Sequence, residues 1–264
     1  MINIIVCMKQ VLDPEIPPSA FRIDPEAKRG IQPKGTLPVV SPFDESALEA
    51  ALRIKDVDGG EITVISMGPY LARPVLKRSL AAGADKLILL EDNVFGDVDS
   101  YGTACTLAAA INMMGEYHLI LCGMQAADSN AGQVGSGIAE ILDIPSVTMA
   151  RKVEVGDGWV RVERVVLDGY EVIEAPMPVL ITVSNEVGRL RPVSVRALMG
   201  VQKKPVTIWR HQDVGVDLSQ LKRTNLLKLF IPVRQATRCR LIEGKNPEEK
   251  GRNLALKCRE SKLI

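Results

Sequence analysis

The sequence predicts an α/β fold: a mostly parallel, doubly wound sheet with a β-hairpin extension and a C-terminal arm. Three observations predict it. Continuous apolar runs at 2–8 and 179–183 have the length and composition of strands buried on both faces, and the mostly apolar runs at 61–67, 86–90 and 118–122 are expected to be strands as well. Stretches with helical spacing and terminal signals separate most of these runs, which implies βαβ units with right-handed crossovers. After Pro145 the period changes to two, and Asp168-Gly169 lies between two alternating runs, as in a tight hairpin.

In order, the run at 2–8 is the first strand, and Lys9 ends its burial. From Asp13 to Val40 proline, glycine and charge dominate, so an irregular excursion is expected, with one short strand at 21–24. Ser41-Pro42-Phe43-Asp44-Glu45 supplies a capping serine, a proline at the first helical position and acids in the first turn; a helix is expected over 42–56. Its Ala47, Leu48, Ala51, Leu52 and Lys55 stripe should face the sheet, and Gly59-Gly60 closes it. After the strand at 61–67, Gly68-Pro69 is expected to open one helix that runs to Ala82 and stops at Gly83. Asp99 should cap a helix over 100–114. Beyond the run at 118–122 come a polar loop and a helix resuming at Gly132; the hairpin pairs 159–167 with 170–174, and 179–183 returns to the sheet.

Two segments read as surfaces. Residues 185–205 carry Arg189, Arg191, Arg196, Lys203 and Lys204 among Leu190, Val195, Leu198, Met199 and Val201. A short amphipathic surface helix explains them, and so does a docking loop, with Arg189, Leu190 and Arg191 as the place to look for partner contact. The apolar stretch 226–232 and the capped helix at Asn246-Pro247-Glu248-Glu249 read as an arm that covers a partner rather than a helix folded back on its own sheet. The expected division is therefore a nucleotide-binding domain at 1–224 and an arm at 225–264.

Composition narrows the function. With 264 residues, 46% of them hydrophobic, and a formal charge of +1, the chain can bury a sizeable core and has no excess of basic residues for nucleic acid. No apolar run reaches membrane-spanning length, and Met1 leads straight into Ile2-Asn3-Ile4-Ile5-Val6, so a cytoplasmic protein without membrane insertion is expected. Five cysteines with no C-x-x-C spacing suit a reducing compartment. His118 and His211 lie far from any cysteine pair, so neither a metal site nor a Cys-His nucleophile is expected.

The chemistry concentrates at 119–142. A strand ends on Gly123, a polar loop follows, and a helix resumes with glycines at 132, 135 and 137. Free N–H groups at such a helix start attract anions, and glycines let a phosphate approach the backbone. The glycine order is neither G-x-G-x-x-G nor Walker A, and a tight helix-to-sheet contact would ask for the same small residues. Ligands of parallel sheets sit at the carboxyl ends of the strands, where Cys7-Met8, Ser66-Met67 and Cys122-Gly123 would converge on the 123–135 loop. For Cys7, Met67 and Cys122 taken singly, core packing explains the residue type as well.

At this point the chain resembles the beta subunit of electron transfer flavoprotein over nearly its whole length. The resemblance rests on Val6-Cys7-Met8-Lys9-Gln10-Val11-Leu12-Asp13, on Ser41-Pro42-Phe43-Asp44 with Ala47-Leu48-Glu49-Ala50-Ala51, and on Val64-Ile65-Ser66-Met67-Gly68-Pro69. It rests further on Ala82-Gly83-Ala84-Asp85 and, above all, on Gln125-Ala126-x-Asp128 followed by Gln133-Val134-Gly135. The resemblance implies an electron carrier whose flavins do the redox chemistry, with no catalytic side chain in this chain. It also implies an alpha subunit that carries FAD, a flavin dehydrogenase such as an acyl-CoA dehydrogenase as partner, and in this chain either FAD or a structural AMP. By position, nucleotide contacts are expected from Cys7, Met8, Ser41, Pro42, Phe43, Met67 and Gly68. The loop would add Gly123, Gln125, Asp128, Asn130, Gly132, Gln133, Val134 and Gly135.

FAD is expected in preference to AMP, because the 91–103 segment is as long as in members holding a second flavin. Asp99, Ser100 and Thr103 at the start of the following helix could then hold a diphosphate or ribityl chain; a simple helix cap is the plainer use of Asp99 and Ser100. Two departures stand out: Asp128-Ser129-Asn130-Ala131 replaces the common Asp-Gly-Asp-Thr, and Asp97 stands where electron-bifurcating members usually have glycine. Direct hydride transfer from NADH is accordingly not expected. The competing class is a stand-alone adenine-nucleotide-binding module of the stress-protein kind, which the tail and the 185–205 segment argue against. A pyrophosphate-cleaving synthetase lacks its loop motif here.

Overall fold

Each of the five expected core strands forms, and together they make an unbroken parallel block at the centre of one sheet. The computed structural model describes residues 1–217, 219, 221–232 and 239–264 and divides into two units, Met1–Leu229 and Phe230–Ile264. The first unit begins with β1 (Asn3–Cys7) and the short β2 (Gln10–Val11), β3 (Ile23–Asp24), β4 (Arg29–Gly30) and β5 (Val39–Val40). Then come α1 (Pro42–Asp58), β6 (Glu61–Gly68), α2 (Arg73–Leu76), α3 (Arg78–Ala82) and β7 (Lys86–Glu91). After a 3-10 turn at Asn93–Asp97 follow α4 (Ser100–Met114), β8 (Leu119–Gly123) and α5 (Val134–Leu142). The chain continues through β9 (Ser146–Val155), β10 (Trp159–Val166), β11 (Gly169–Pro176) and β12 (Val179–Val183) to α6 (Val195–Val201), β13 (Thr207–Trp209) and α7 (His211–Val214).

Among the described residues the main sheet has the order β11-β10-β9-β12-β8-β1-β6-β7-β13. Only the pairings of β10 with β9 and β11 are antiparallel. From β1 the chain winds outward through β6 to β7, then crosses back to β8 on the other side of β1, so the topological switch lies between β1 and β8. Alternate residues of each strand feed two cores. Ile4, Val6 and Val64 pack with Ala47, Leu48 and Ala51 of α1 on one face; Ile5, Cys7 and Ile65 pack with Leu107 and Ile111 of α4 and Ile138 of α5 on the other.

Several expectations need correction. The helix expected from Pro69 to Ala82 is two short helices that begin only at Arg73, because Gly68 continues the strand and Pro74 falls at the start of α2. Ser41 does precede α1, but its hydroxyl does not cap the helix; it accepts a hydrogen bond from Ala127 N–H at 3.4 Å. Lys55 lies off the apolar contact and bonds Asp85 at 2.6 Å, while Ile54 is buried instead. The hairpin has a third strand, β9, which joins it to β12. Within 13–40 the excursion is pinned by two ribbons, β2 with β5 and β3 with β4. Segment 185–205 contributes α6, and β13 after it adds a further edge strand beside β7.

In the second unit, α8 (Pro247–Glu260) starts as its sequence predicts: Asn246 accepts from Glu249 N–H at 2.8 Å, and Glu249 accepts from Lys245 N–H at 2.7 Å. None of its residues is buried within the chain, and Leu254 and Leu256 stand half exposed. Residues 233–238 of the expected arm lie outside the described residues. No helix among the described residues is long and apolar enough to cross a membrane.

Candidate nucleotide site

The glycines that drew attention to 119–142 each have a structural reason, of packing or of backbone conformation. A Cβ on Gly135 would stand 2.7 Å from Cys122 Sγ and 2.8 Å from Thr182 Cγ2, so α5 rests on β8 and β12 closer than any side chain permits. A Cβ on Gly137 would meet Ala104 Cβ of α4 at 3.0 Å. Gly132 takes φ +63°, and Asn130, a residue type that tolerates this region, takes φ +51°. The loop is tied internally as well: Asn130 N–H donates to Ala126 O at 2.8 Å, and Gln125 Nε2 donates to Asn130 Oδ1 at 3.1 Å.

Around this loop the structure gathers the first group of expected residues. Cys7 and Cys122 are register partners on β1 and β8, side by side at the switch. Met8 follows Cys7 and is buried; Ser41, Pro42 and Phe43 lead into α1 beneath Gly123, whose missing Cβ would fall 2.7 Å from Phe43 Cβ. Met67 and Gly68 end β6, the strand beside β1. Asp128 is held at the rim by Lys9 Nζ at 2.7 Å, with roughly 40% of each side chain exposed; a pair so exposed contributes about 0–1 kcal/mol. Burial, then the charge of Asp44, pushes the Cys7 thiol up to about 12, and burial raises Cys122 well above its ordinary value. Both stay protonated at neutral pH, so they serve as packing groups rather than nucleophiles.

At the start of α5, Gln133 takes the cap position without a side-chain hydrogen bond to the helix, and Gln133 itself is exposed. Backbone donors at this helix start fit a phosphate. Asp99, Ser100 and Thr103 form a second group with a different character. Asp99 caps α4 by accepting from Gly102 N–H at 2.9 Å, and its other oxygen accepts from Arg223 N–H and Thr224 N–H at 2.8 Å each. Thr103 Oγ1 donates back to Asp99 O. Leu221 is buried with its carbonyl over Gly102, Lys222 pairs with Asp97, and Arg223 lies 3.7 Å over the Tyr101 ring. Residues 221–224 thus form a strap on the start of α4. Burial opposes charge on Asp99, but the N–H groups of Gly102, Arg223 and Thr224 outweigh it and hold its carboxyl down to about 2.

The expected docking residues divide. Arg189 is exposed and Leu190 half buried against the core, whereas Arg191 is anchored to α1 through Glu49 at 3.1 Å and Asp56 at 2.9 Å. A cleft of about 760 Å³ between α1 and the β9–β10 extension, lined by Arg53, Ile54, Val57, Val153, Val155 and Trp159, involves none of the site residues.

The sequence reading missed the centre of the first group. Asp44 is buried, its Oδ1 accepting from Gly123 N–H at 2.9 Å and its Oδ2 from Lys9 N–H at 2.7 Å. A signal was present: 44, 47, 48 and 51 share one helical face, so Asp44 is an acid on the apolar stripe, where an unexplained charge marks a site.

The family model for the electron transfer flavoprotein domain matches residues 35–214. The electron transfer flavoprotein subunit beta of Thermoanaerobacterium thermosaccharolyticum is 43% identical over 83% of this chain and 82% of its own length. The caffeyl-CoA reductase-Etf complex subunit CarD of Acetobacterium woodii is 37% identical over 99% of this chain and all of its own. Protein FixA of Bradyrhizobium diazoefficiens is 35% identical over 91% of this chain and 86% of its own.

Proposed function

Because the chain belongs to the electron transfer flavoprotein family, as a beta subunit with an electron-transfer role, we propose that its switch-point crevice binds an adenine nucleotide and that it works with an FAD-carrying alpha subunit. The beta-subunit and reductase-complex names of its relatives imply an alpha partner and a dehydrogenase or reductase. The observation that carries the nucleotide reading is the meeting of the end of β1, the start of α1 and the 123–135 loop at the carboxyl ends of the central strands, where ligands of parallel sheets bind. There, the start of α5 offers backbone donors to a phosphate, Asp128 stands at the rim to accept from ribose hydroxyls, and Cys7, Met8 and Met67 supply apolar walls. A flavin, where bound, supplies the redox chemistry, and the residues here bind and orient.

FAD remains the proposed ligand, supported by the long 91–103 segment that runs from β7 to α4. One observation favours AMP as the second reading. The start of α4 is occupied by the Asp99 carboxylate and the 221–224 strap, which leaves the start of α5 as the better place for a phosphate. Denaturing the purified complex and quantifying released nucleotides separates them: two FAD per heterodimer is expected, and one FAD with one AMP selects the other ligand. A complex that releases no nucleotide beyond the alpha subunit's own defeats both.

The exposed Arg189 and half-buried Leu190 are proposed to meet the redox partner, an acyl-CoA dehydrogenase or similar flavoenzyme, and the Phe230–Ile264 unit to hold the alpha subunit in a cytoplasmic heterodimer. The unit is a separate cluster, and no residue of its α8 is fully buried within the chain. Deleting 230–264 should abolish heterodimer formation while far-UV circular dichroism of the remainder stays folded. Leu190→Ala should leave the heterodimer intact and slow electron delivery. An intact complex without 230–264, or unchanged turnover for the Leu190 variant, removes the corresponding assignment.

A further inference from the structure

We propose that Asp44 is the positioning residue of the nucleotide crevice: its carboxylate ties the ends of β1 and β8 together across the switch and, through Lys9, sets where Asp128 stands. The inference rests on the nucleotide reading above and adds a residue and a control to it.

The geometry forms a continuous chain. Gly123 N–H donates to Asp44 Oδ1 at 2.9 Å; Lys9 N–H donates to Oδ2 at 2.7 Å; Lys9 Nζ reaches Asp128 at 2.7 Å. Asp44 therefore fixes the loop where it leaves β8 and, at one remove, at its acidic rim. Ser41, in the same turn, holds the loop at a third point through Ala127 N–H. Gly123 completes the device, because a Cβ there would fall 2.5 Å from Asp44 Oδ1 and push the carboxylate out.

Two N–H donors from adjacent strand ends need two acceptors on one short side chain, which an ionised carboxylate supplies. Protonation, or an asparagine, leaves one acceptor and turns a donor toward the other N–H, an unfavourable buried contact. The groups facing Asp44 are Cys7 from β1, Lys9 two residues beyond its end, Cys122 from β8 and Asp128 from the loop. Burial raises Asp44 to about 7, assisted by Asp128 and opposed by the Lys9 and Gly123 N–H groups and the Lys9 charge. Its ionisation therefore falls in the neutral range. Above it the crevice is tied; below it one tie is lost. A nucleotide that binds the tied form releases protons from Asp44 as it binds.

The test uses the full-length chain in its complex, stripped of exchangeable nucleotide, with AMP and FAD as probes. In the wild type the affinity should rise about tenfold between pH 5.5 and 8, the effect of one hydrogen bond of about 1.4 kcal/mol. Asp44→Asn should bind at least as weakly as the wild type at pH 5.5 and show no rise with FAD, whose diphosphate does not titrate in this range, and only the rise due to the ligand's own phosphate with AMP. Lys9→Met, which keeps the Lys9 N–H bond but frees Asp128 and removes a charge that holds Asp44 down, should weaken binding and move the rise to higher pH. A readout without ligand accompanies these: amide exchange at Lys9 and Gly123 should slow in the wild type as pH rises through 7, after correction for intrinsic exchange, and that slowing should vanish in Asp44→Asn. If that variant does not fold, the wild-type exchange profile decides alone. Equal affinity and exchange in wild type and Asp44→Asn overturn the proposal. A wild type that binds neither probe overturns the nucleotide reading, and the role of Asp44 with it, while the exchange profile still reports whether the tie exists.

Discussion

Gly135→Val is expected to destabilise the protein by about 3 kcal/mol, read as a lower urea midpoint at unchanged slope. The first added carbon already lands 2.7 Å from Cys122 Sγ, 2.8 Å from Thr182 Cγ2 and 3.5 Å from Leu180 Cδ2. Cys122, Thr182 and Leu180 sit on central strands and are buried, so none can swing aside. Relief requires α5 to lift from the sheet, which exposes Ile138 and Ala139. Gly137→Ala meets a single methyl at 3.0 Å between α5 and α4 and should cost less, about 1 kcal/mol. The pair separates the two roles of the glycine cluster. If Gly135 served only to admit a phosphate, the variant would lose nucleotide and keep the midpoint of the stripped protein; an unchanged midpoint would refute the packing role.

The parallel block was legible because burial on both faces writes itself as a largely apolar run bounded by helical stretches, and all five runs became neighbouring strands. Strand β9 was not. Its sequence mixes Ser146, Thr148, Arg151 and Lys152 with apolar residues, Met149 adopts φ +60°, and its pairing with β12 shifts register between Ile181 and Val183. A strand interrupted by a bulge loses the period by which strands are recognised. Edge strand β13 is three residues long and leaves no pattern at all.

The site shows the same division. Residues that the chain brings together locally, such as Gln125 with Asn130 and Asp99 with Gly102, were legible as loop and cap. Asp99 with Arg223 and Thr224, and Asp44 with Gly123, join residues far apart in the chain, and no local spacing announces them. Asp44 alone left a trace, an acid at a buried helical position. Its first-turn place offered a sufficient explanation as a partner of the helix dipole, and that explanation concealed the second.

Asp44 also predicts how stability responds to pH. Burial raises its folded value from 3.8 to about 7, so it contributes stability that is fully present below pH 3.8 and lost as pH rises through about 7. A rise of that size corresponds to about 4 kcal/mol between those limits. Asp99 acts in a separate window: its value is lowered to about 2, so its contribution is present above 3.8 and lost only as pH falls toward 2. Glu45, raised by burial against the charge of Arg78, adds a smaller decline of the same sign as Asp44 at lower pH. Urea midpoints of the wild type should therefore fall between pH 5 and 8. Asp44→Asn begins lower, since its amide opposes one N–H, but its midpoint should be nearly flat over that range, so the two proteins converge as pH rises. The sign is opposite to that of nucleotide binding, which strengthens over the same interval, because the ionised carboxylate is costly to bury yet is the form that holds the loop. Parallel midpoint curves for the two proteins would show that Asp44 does not titrate there.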